Sequence, residues 1–453
     1  MFCERKAENL KTFIGGVHPK ENKFYTEDQP IKKAAVPEVV VIPMAQHTGA
    51  PCMPVVKVGE TVKKGQLIGS VEQFIASPVH ASTSGAVKEI KELPHPVVDK
   101  SLSVVIASDG KDEWADEIET RTDVRGLGRD DIIKIVKDSG IVGMGGAAFP
   151  SHVKLKPPKK IDTVILNGAE CEPYLTCDNR LMIEKPKEIL KGLSLIMKAL
   201  DVVKAVIAIE SNKPEAISVM DRSIREIKSE MIDKEITVKV LRTKYPQGAE
   251  KQLIDVVLAR RVPPQKLPLD VGCVVHNAGT ALAVYEAVYL GRPLVERCVT
   301  VSGDCLEEPL NLQVRIGTQI KHLIDECKGL KREISKLIIG GPMMGIAQHT
   351  LEVPVIKGTS GILLLSAEEA RVFDESPCIR CGRCVDACPM NLLPLSYAKF
   401  VKKENWAKLE SCNIDDCMEC GACSYTCPSR IPIVQYIKAG KRELFYRRKR
   451  RAS

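Results

Sequence analysis

The chain has 453 residues, room for three or four domains at roughly 100–200 residues each. Apolar residues make up 44% and charged residues 27%, the balance of a globular protein; aromatics are only 4%, too few for a platform on which single-stranded nucleic acid stacks. The formal charge of +8 is concentrated, because residues 441–451 hold seven Lys/Arg and one Glu, a net +6, and leave the rest nearly neutral. So localised a charge argues against a nucleic-acid role.

No run approaches the ~18 apolar residues of a membrane span. The start, Met1-Phe2-Cys3-Glu4-Arg5-Lys6, lacks the apolar centre of a signal peptide. The expectation is a chain kept in the cytosol, where thiols stay reduced, so 17 cysteines point to metal rather than disulfides.

In chain order, residues 1–33 are polar and irregular and read as an extended arm. Residues 34–110 alternate short β-branched runs with glycines, such as Val55-Val56-Lys57-Val58-Gly59 and Val62-Lys63-Lys64-Gly65-Gln66-Leu67-Ile68-Gly69, the pattern of a small all-β unit. This unit resembles the biotinyl/lipoyl barrel-sandwich domain. That family carries its prosthetic group on a lysine at a hairpin tip; the corresponding Glu72-Gln73-Phe74-Ile75 has none, which implies a docking module without a swinging arm.

Residues 120–295 alternate strands and helices. Asp131–Lys137 reads as a helix ending at Gly140, Thr163–Leu166 and Lys204–Ile209 as buried strands, Pro186–Leu200 and Pro214–Ile232 as helices, and Ile236–Leu241 as a third strand: α/β layering. Residues 296–366 return to short strands around a helix near Ile320–Cys327, as in a β-grasp domain. Residues 367–436 are cysteine-rich. The basic tail, 437–453, is expected to be a disordered solvated terminus or a contact for an acidic membrane surface or partner.

The cysteine-rich stretch holds two copies of one spacing, C-x2-C-x2-C-x3-C-P: Cys378, Cys381, Cys384, Cys388-Pro389, and then Cys417, Cys420, Cys423, Cys427-Pro428. Three closely spaced thiolates wrap one four-iron cluster, and the fourth cysteine reaches across to the other. Cys378, Cys381, Cys384 and Cys427 are therefore expected to hold one [4Fe-4S] cluster, and Cys417, Cys420, Cys423 and Cys388 its partner. Zinc ribbons use two C-x2-C pairs and have no need of a third cysteine in register and a fourth before proline, twice. Cys412 reads as packing, and so does Cys171. Neighbouring clusters pass single electrons, so another group must start the current.

Gly140-Ile-Val-Gly143-Met-Gly145-Gly146-Ala147-Ala148-Phe149-Pro150 is a glycine loop whose backbone can approach a phosphate or ring. Alone it is a turn as readily as a site. Lys154 follows it, positioned for a phosphate, and the strand ending at Leu166 runs into Asn167-Gly168-Ala169-Glu170-Cys171-Glu172-Pro173, at the carboxyl end where α/β sheets bind ligands. Glu170 and Glu172 alone read equally as surface carboxylates, His47 and His276 as packing residues, and Gly340–Gly345 as a turn without chemistry.

Together these segments resemble the NADH-oxidising flavoprotein subunit of respiratory complex I. Gly143, Gly145 and Gly146 match its flavin loop, Asn167–Pro173 its N-A-D-E-S-E-P segment, Tyr245-Pro246-Gln247-Gly248-Ala249-Glu250 its Y-I-C-G-E-E turn, and Val275-His276-Asn277-Ala278-Gly279-Thr280 its V-N-N-V-E-T segment. The chain departs from that pattern at Met144, Ala169 and Ala249. The resemblance implies an FMN and NAD(H) site built from Gly143, Gly145, Gly146, Lys154, Asn167, Glu170, Glu172, Tyr245, Gly248, Glu250, Asn277 and Thr280, with Glu170 and Glu172 holding the nicotinamide and its ribose.

The domain order and the twin cluster motif, across residues 10–435, resemble the RnfC family. That implies a multidomain α/β protein: a β barrel-sandwich domain, a Rossmann-like FMN/NADH domain, a β-grasp (SLBB-like) domain and a helical two-cluster ferredoxin-like domain. It further implies a peripheral subunit on the cytoplasmic face of the membrane, partnered by an iron–sulfur subunit and integral membrane subunits of an ion-translocating ferredoxin:NAD oxidoreductase. A soluble flavin/iron–sulfur cobalamin reductase has the same parts and remains the alternative, with a redox-inert structural subunit as the third reading.

Overall fold

The computed structural model describes residues 10–231 and 233–452. The start of the expected arm, residues 1–9, lies outside them, as does Ile232.

Two antiparallel sheets form the first unit. One runs in the order Val39–Pro43, Asp99–Ser108, Gly85–His95, Thr61–Val62, and the other in the order Met53–Pro54, Leu67–Ser70, Val79–His80. Val40, Ile42, Ile68, Val87, Val104 and Ile106 fill the space between them. Alternation along each strand makes this possible, since every second side chain faces inward. Residues 72–75 lie between two paired strands, and Phe74 at this tip is 73% exposed.

The central unit is a four-stranded parallel sheet in the order Glu235–Leu241, Lys204–Glu210, Thr163–Gly168, Cys273–Asn277. Its two central strands, Lys204–Glu210 and Thr163–Gly168, hold apolar runs because both faces are covered. Helices Arg129–Asp138, Pro186–Leu200, Pro214–Glu226 and Ala278–Leu290 pack one face. Helix Glu250–Leu258 covers the other, joined by Phe13 of the arm. The helix expected over 214–232 stops at Glu226, and a short turn, Lys228–Glu230, follows. Successive strands step outward from Thr163–Gly168 in one direction and Cys273–Asn277 is added on its other side. The chain reverses direction there, and a crevice opens at the carboxyl ends of these two neighbours.

The third unit is a six-stranded mixed sheet around helix Ile320–Glu326. Its edge strand, Lys32–Lys33, comes from the arm and pairs in parallel with Leu310–Arg315. The arm is therefore a strap: the Val17 and Tyr245 amides and carbonyls bond reciprocally, and the Gly16 amide donates to the Ala387 carbonyl.

Short helices make the cysteine-rich unit, closed by helix Ile433–Ala452. The expected separate tail over 437–453 is a correction: residues 437–452 continue this helix. Ile433, Ile437 and Leu444 keep an apolar stripe at helical spacing through the charged run and bury it with Tyr397, Leu409 and Ile414.

Candidate functional site

At the crevice, Asn167 and Asn277 end adjacent strands in register with one another. The Asn167 side chain donates to the Gly248 carbonyl at 2.8 Å and accepts from the Ala169 amide, which fastens two of the expected segments together. Asn277 caps helix Ala278–Leu290, its Oδ1 accepting from the Gly279 amide at 2.9 Å and its Nδ2 donating to Asp178 at 2.5 Å. The Met144 amide donates to Thr280 Oγ1 at 2.9 Å, so the glycine loop lies across the start of that helix.

The loop fits a bound phosphate or ring. Gly145, Gly146 and Ala147 are exposed, and their amides have no acceptor among the described residues. Beside Gly146, with φ +108°, nothing lies within 4 Å of where a Cβ would stand. Free amides, open space and a helix N-terminus together make an anion cradle.

Two buried lysines set the neighbouring Ala169–Leu175 loop. Lys23 of the arm donates its ammonium to the carbonyls of Glu170, Glu172 and Leu175 at 2.9, 3.0 and 2.6 Å. Lys213 Nζ reaches the Ala169 carbonyl at 2.7 Å. Glu170 and Tyr174 hold φ values of 48° and 67°, in the left-handed region that costs non-glycine residues energy, and the lysine clamp offsets that cost. Burial pushes the Asp178 carboxyl up, with the Glu170 charge adding to it. Arg297, from the third unit, donates to the Met144 carbonyl at 3.3 Å and also to the Lys357 carbonyl.

The structure separates the expected site residues into two groups. Gly143, Gly145, Gly146, Asn167, Gly248, Asn277 and Thr280 gather at the crevice. Lys154 and Glu250 are paired with each other at 2.9 Å, and Lys154 also donates to the Val275 carbonyl, so its ammonium is held on the protein itself. Glu170 accepts from the Asp178 and Asn179 amides and caps the helix Cys177–Glu184. Glu172 and Tyr245 lie deeper, between units. The Glu172 carboxylate accepts from the Met343 and Met344 amides at 3.0 and 2.9 Å and from the Tyr245 hydroxyl at 3.4 Å. Burial pushes it up to about 7 against those donors. The Gly340–Gly345 turn, expected to be without chemistry, is thus the grip on Glu172; a Cβ on Gly341 would stand 2.2 Å from the carboxylate.

The Tyr245 hydroxyl donates to the Cys420 carbonyl at 2.7 Å, tying the crevice side to the second cysteine loop. Cys171 packs beside Tyr245, Met343 and Cys420, as a filler does. Cys388, Cys417, Cys420 and Cys423 line one cavity with Tyr397 and Ile437. Burial pushes the Cys420 and Cys423 thiols up to about 11 and about 12, and nearby Cys388 adds repulsion at both. The fourth cysteine of the first motif therefore sits with the second motif. Conversely, burial raises the Cys384 thiol, and repulsion from Cys427 and Cys381 adds to it. Four soft thiols spread around a shared cavity fit a cluster. Amides of Arg380, Leu392 and Glu419 donate to the sulfurs of Cys378, Cys388 and Cys417 at 3.3–3.4 Å, the contacts that tune a cluster's potential. Cys412 stays apart, packed against the closing helix.

Sequence reasoning missed Lys23, Lys213, Asp178, Arg297 and Met343. Only Asp178 left a local signal, as a carboxylate in the first turn of a helix just beyond Glu172.

Family models match along the whole chain: the RnfC barrel sandwich hybrid domain over residues 11–111, the Nuo51 FMN-binding domain over 136–286, the SLBB domain over 298–347 and the 4Fe-4S dicluster domain over 377–431. The proton-translocating ferredoxin:NAD(+) oxidoreductase complex of Clostridium ljungdahlii contains a polypeptide 50% identical to this one, over 85% of this chain and 83% of its own. Its equivalent in the Na(+)-translocating complex of Acetobacterium woodii is 46% identical over 89% and 90%. The equivalent in the ion-translocating oxidoreductase complex of Rhodobacter capsulatus is 43% identical over 84% and 73%. Among solved structures, an NAD+-reducing [NiFe]-hydrogenase in the H2-reduced state shares the fold at TM-score 0.51 and 17% identity, over 70% of this chain and 61% of that one. An anion cradle at a sheet's switch point, two crosswise cysteine sets and these relatives agree: the chain belongs to the RnfC family, polypeptides of ion-translocating ferredoxin:NAD(+) oxidoreductase complexes.

Proposed function

We propose that this chain is the member of such a complex that exchanges hydride with NAD(H) at FMN and relays single electrons through two [4Fe-4S] clusters. The observation that carries the reading is the Tyr245 hydroxyl on the Cys420 carbonyl, which joins the crevice segments to the buried cysteine set without an intervening layer. FMN, when bound, supplies the conversion between a two-electron hydride and single electrons.

The chain's own residues do the positioning. The open amides of Gly145, Gly146 and Ala147, with the start of helix Ala278–Leu290, take the phosphate. Asn167 and Asn277 fix the segments that flank the ring. Glu170 and Asp178 shape the nicotinamide side, with Lys23 and Lys213 holding the loop rigid. Glu172 and Met343 close the route to the cysteines against water. Cys417, Cys420, Cys423 and Cys388 hold the inner cluster, and Cys378, Cys381, Cys384 and Cys427 the outer one. We divide the chain at 34–110, 120–295, 296–366 and 367–452 into β barrel-sandwich, Rossmann-like, β-grasp and ferredoxin-like domains.

No helix among the described residues is long and apolar enough to cross a membrane. The proposed place is peripheral, on the cytoplasmic face, with integral subunits and an iron–sulfur subunit as partners. The cobalamin-reductase reading has no support in the names of the relatives. The test is anaerobic: quantify iron, sulfide and FMN in the purified chain, then add NADH and follow the visible spectrum. About eight irons, about one flavin and bleaching by NADH are expected. Clusters without flavin and without response to NADH would leave a bare two-cluster carrier and refute the assignment of the glycine loop.

A further inference from the structure

The closing helix, Ile433–Ala452, divides its positive charge between two faces. On one, Arg447 pairs with Glu443 and lies over the Trp406 ring, Arg448 bridges Glu410 and Asp415, and Arg451 reaches Glu410. Those cations fasten the helix to the cysteine-rich unit. Lys438, Arg442 and Lys449 are exposed and make no ion pair or hydrogen bond with any described residue. They recur at helical spacing with Phe445 and Tyr446, which are 62% and 52% exposed, so five side chains share one outward face. The two rings meet edge-on, with centroids 5.8 Å apart, and stay more than half exposed.

We propose that this face docks on the anionic surface of a lipid bilayer. Uncompensated lysine and arginine beside exposed aromatic rings on one helix face is the chemistry of an interfacial contact. The cations meet headgroup phosphates, and the rings sit at the boundary between headgroups and chains. A binding site for free phosphate has no use for Phe445. Protein interfaces are depleted in lysine, whereas Lys438 and Lys449 flank these rings. The face would hold the cysteine-rich unit near the membrane plane, independently of whether the crevice binds FMN.

The test is co-sedimentation of the purified, cluster-loaded full chain with vesicles of phosphatidylcholine alone or mixed with phosphatidylglycerol. Each basic residue near an anionic surface strengthens binding by about fivefold. Wild-type protein is therefore expected to partition at least about tenfold better onto the anionic vesicles, and to be released by high salt. Arg442→Glu with Lys449→Glu is expected to lose at least about twentyfold on anionic vesicles. Phe445→Ser with Tyr446→Ser should weaken binding while salt sensitivity remains. All these residues are exposed, so iron content serves as the check on folding. Indifference to lipid charge, or wild-type partition by the doubly reversed variant, would overturn the proposal. So would protection of Lys438 and Lys449 from amine labelling by a protein partner but not by vesicles, which would make the face a protein interface.

Discussion

The two cysteine motifs have one spacing and opposite surroundings. In the first, Cys378 and Cys381 are exposed, Ile379 is 68% exposed, and Arg383 follows Gly382 at the surface. In the second, Cys420 and Cys423 are buried, Met418 packs inward, and Ala422 follows Gly421 with no exposure at all. Gly382 and Gly421 have the same φ of 79°. A Cβ on Gly382 would meet nothing within 4 Å, whereas one on Gly421 would stand 2.9 Å from the Met343 carbonyl. A repeated local cage thus becomes an inner and an outer site by what it is packed against. The inner one touches Tyr245 and the Glu172 grip; the outer one is open to solvent at Cys378 and Cys381.

That difference can be broken outright. Cys417→Ala and Cys388→Ala are both expected to remove the inner cluster, about four irons, leave FMN bound, and stop NADH from bleaching the outer cluster. Cys378→Ala should remove the outer cluster and leave the inner one reducible. Iron analysis with electron paramagnetic resonance reads this. If Cys388→Ala behaves like Cys378→Ala, the crosswise arrangement fails. A gentler measurement uses the native chain: chelator under air should release iron in two phases, the first from the exposed set, and a single phase would mean the two cages are equally accessible.

The glycine pair sharpens the comparison. Gly382→Ala carries only the left-handed backbone cost, about 1 kcal/mol. Gly421→Ala adds a collision with the Met343 carbonyl, which raises the loss by a further ~1–3 kcal/mol. Thermal unfolding of both variants should rank them in that order; equal losses would deny the inner loop its packing. Tyr245→Phe leaves the Cys420 carbonyl without its donor at a cost of about 1–3 kcal/mol. It is expected to slow electron arrival at the inner cluster after NADH is mixed, with FMN content unchanged.

The most gradual effect concerns pH. The folded Glu172 carboxyl is raised from 4.5 to about 7, so between those values the folded chain keeps a proton the unfolded chain has released. Its contribution to stability is greatest below pH 4.5 and declines as pH rises to 7, by ~3 kcal/mol in total. Glu172→Gln should flatten that part of the melting-temperature profile. An unchanged slope would place the titrating group elsewhere.

The cysteine spacing, the strand pattern and the glycine loop were legible in the sequence because each is a local constraint. Three thiolates must lie within one turn of chain to share a cage, and a buried parallel strand must be apolar throughout. The crevice pairing of Asn167 with Asn277 was legible only through resemblance, since strand order decides it. The grip on Glu172 was hidden for a related reason: Met343 lies 171 residues away, and no local pattern announces that its amide will take the carboxylate. The helix that runs on through the basic stretch was hidden because Ile437 and Leu444, which continue its apolar stripe, are sparse among the charges.

By itself, then, the sequence determined the twice-repeated cysteine spacing and the soft-thiol chemistry it offers, because residues so close along the chain are held together covalently. Only the tertiary structure decided which cage is buried beside Tyr245 and which faces outward. That choice rests on the docking of distant segments, the arm through Lys23 and the third unit through Met343, and on the burial such docking produces.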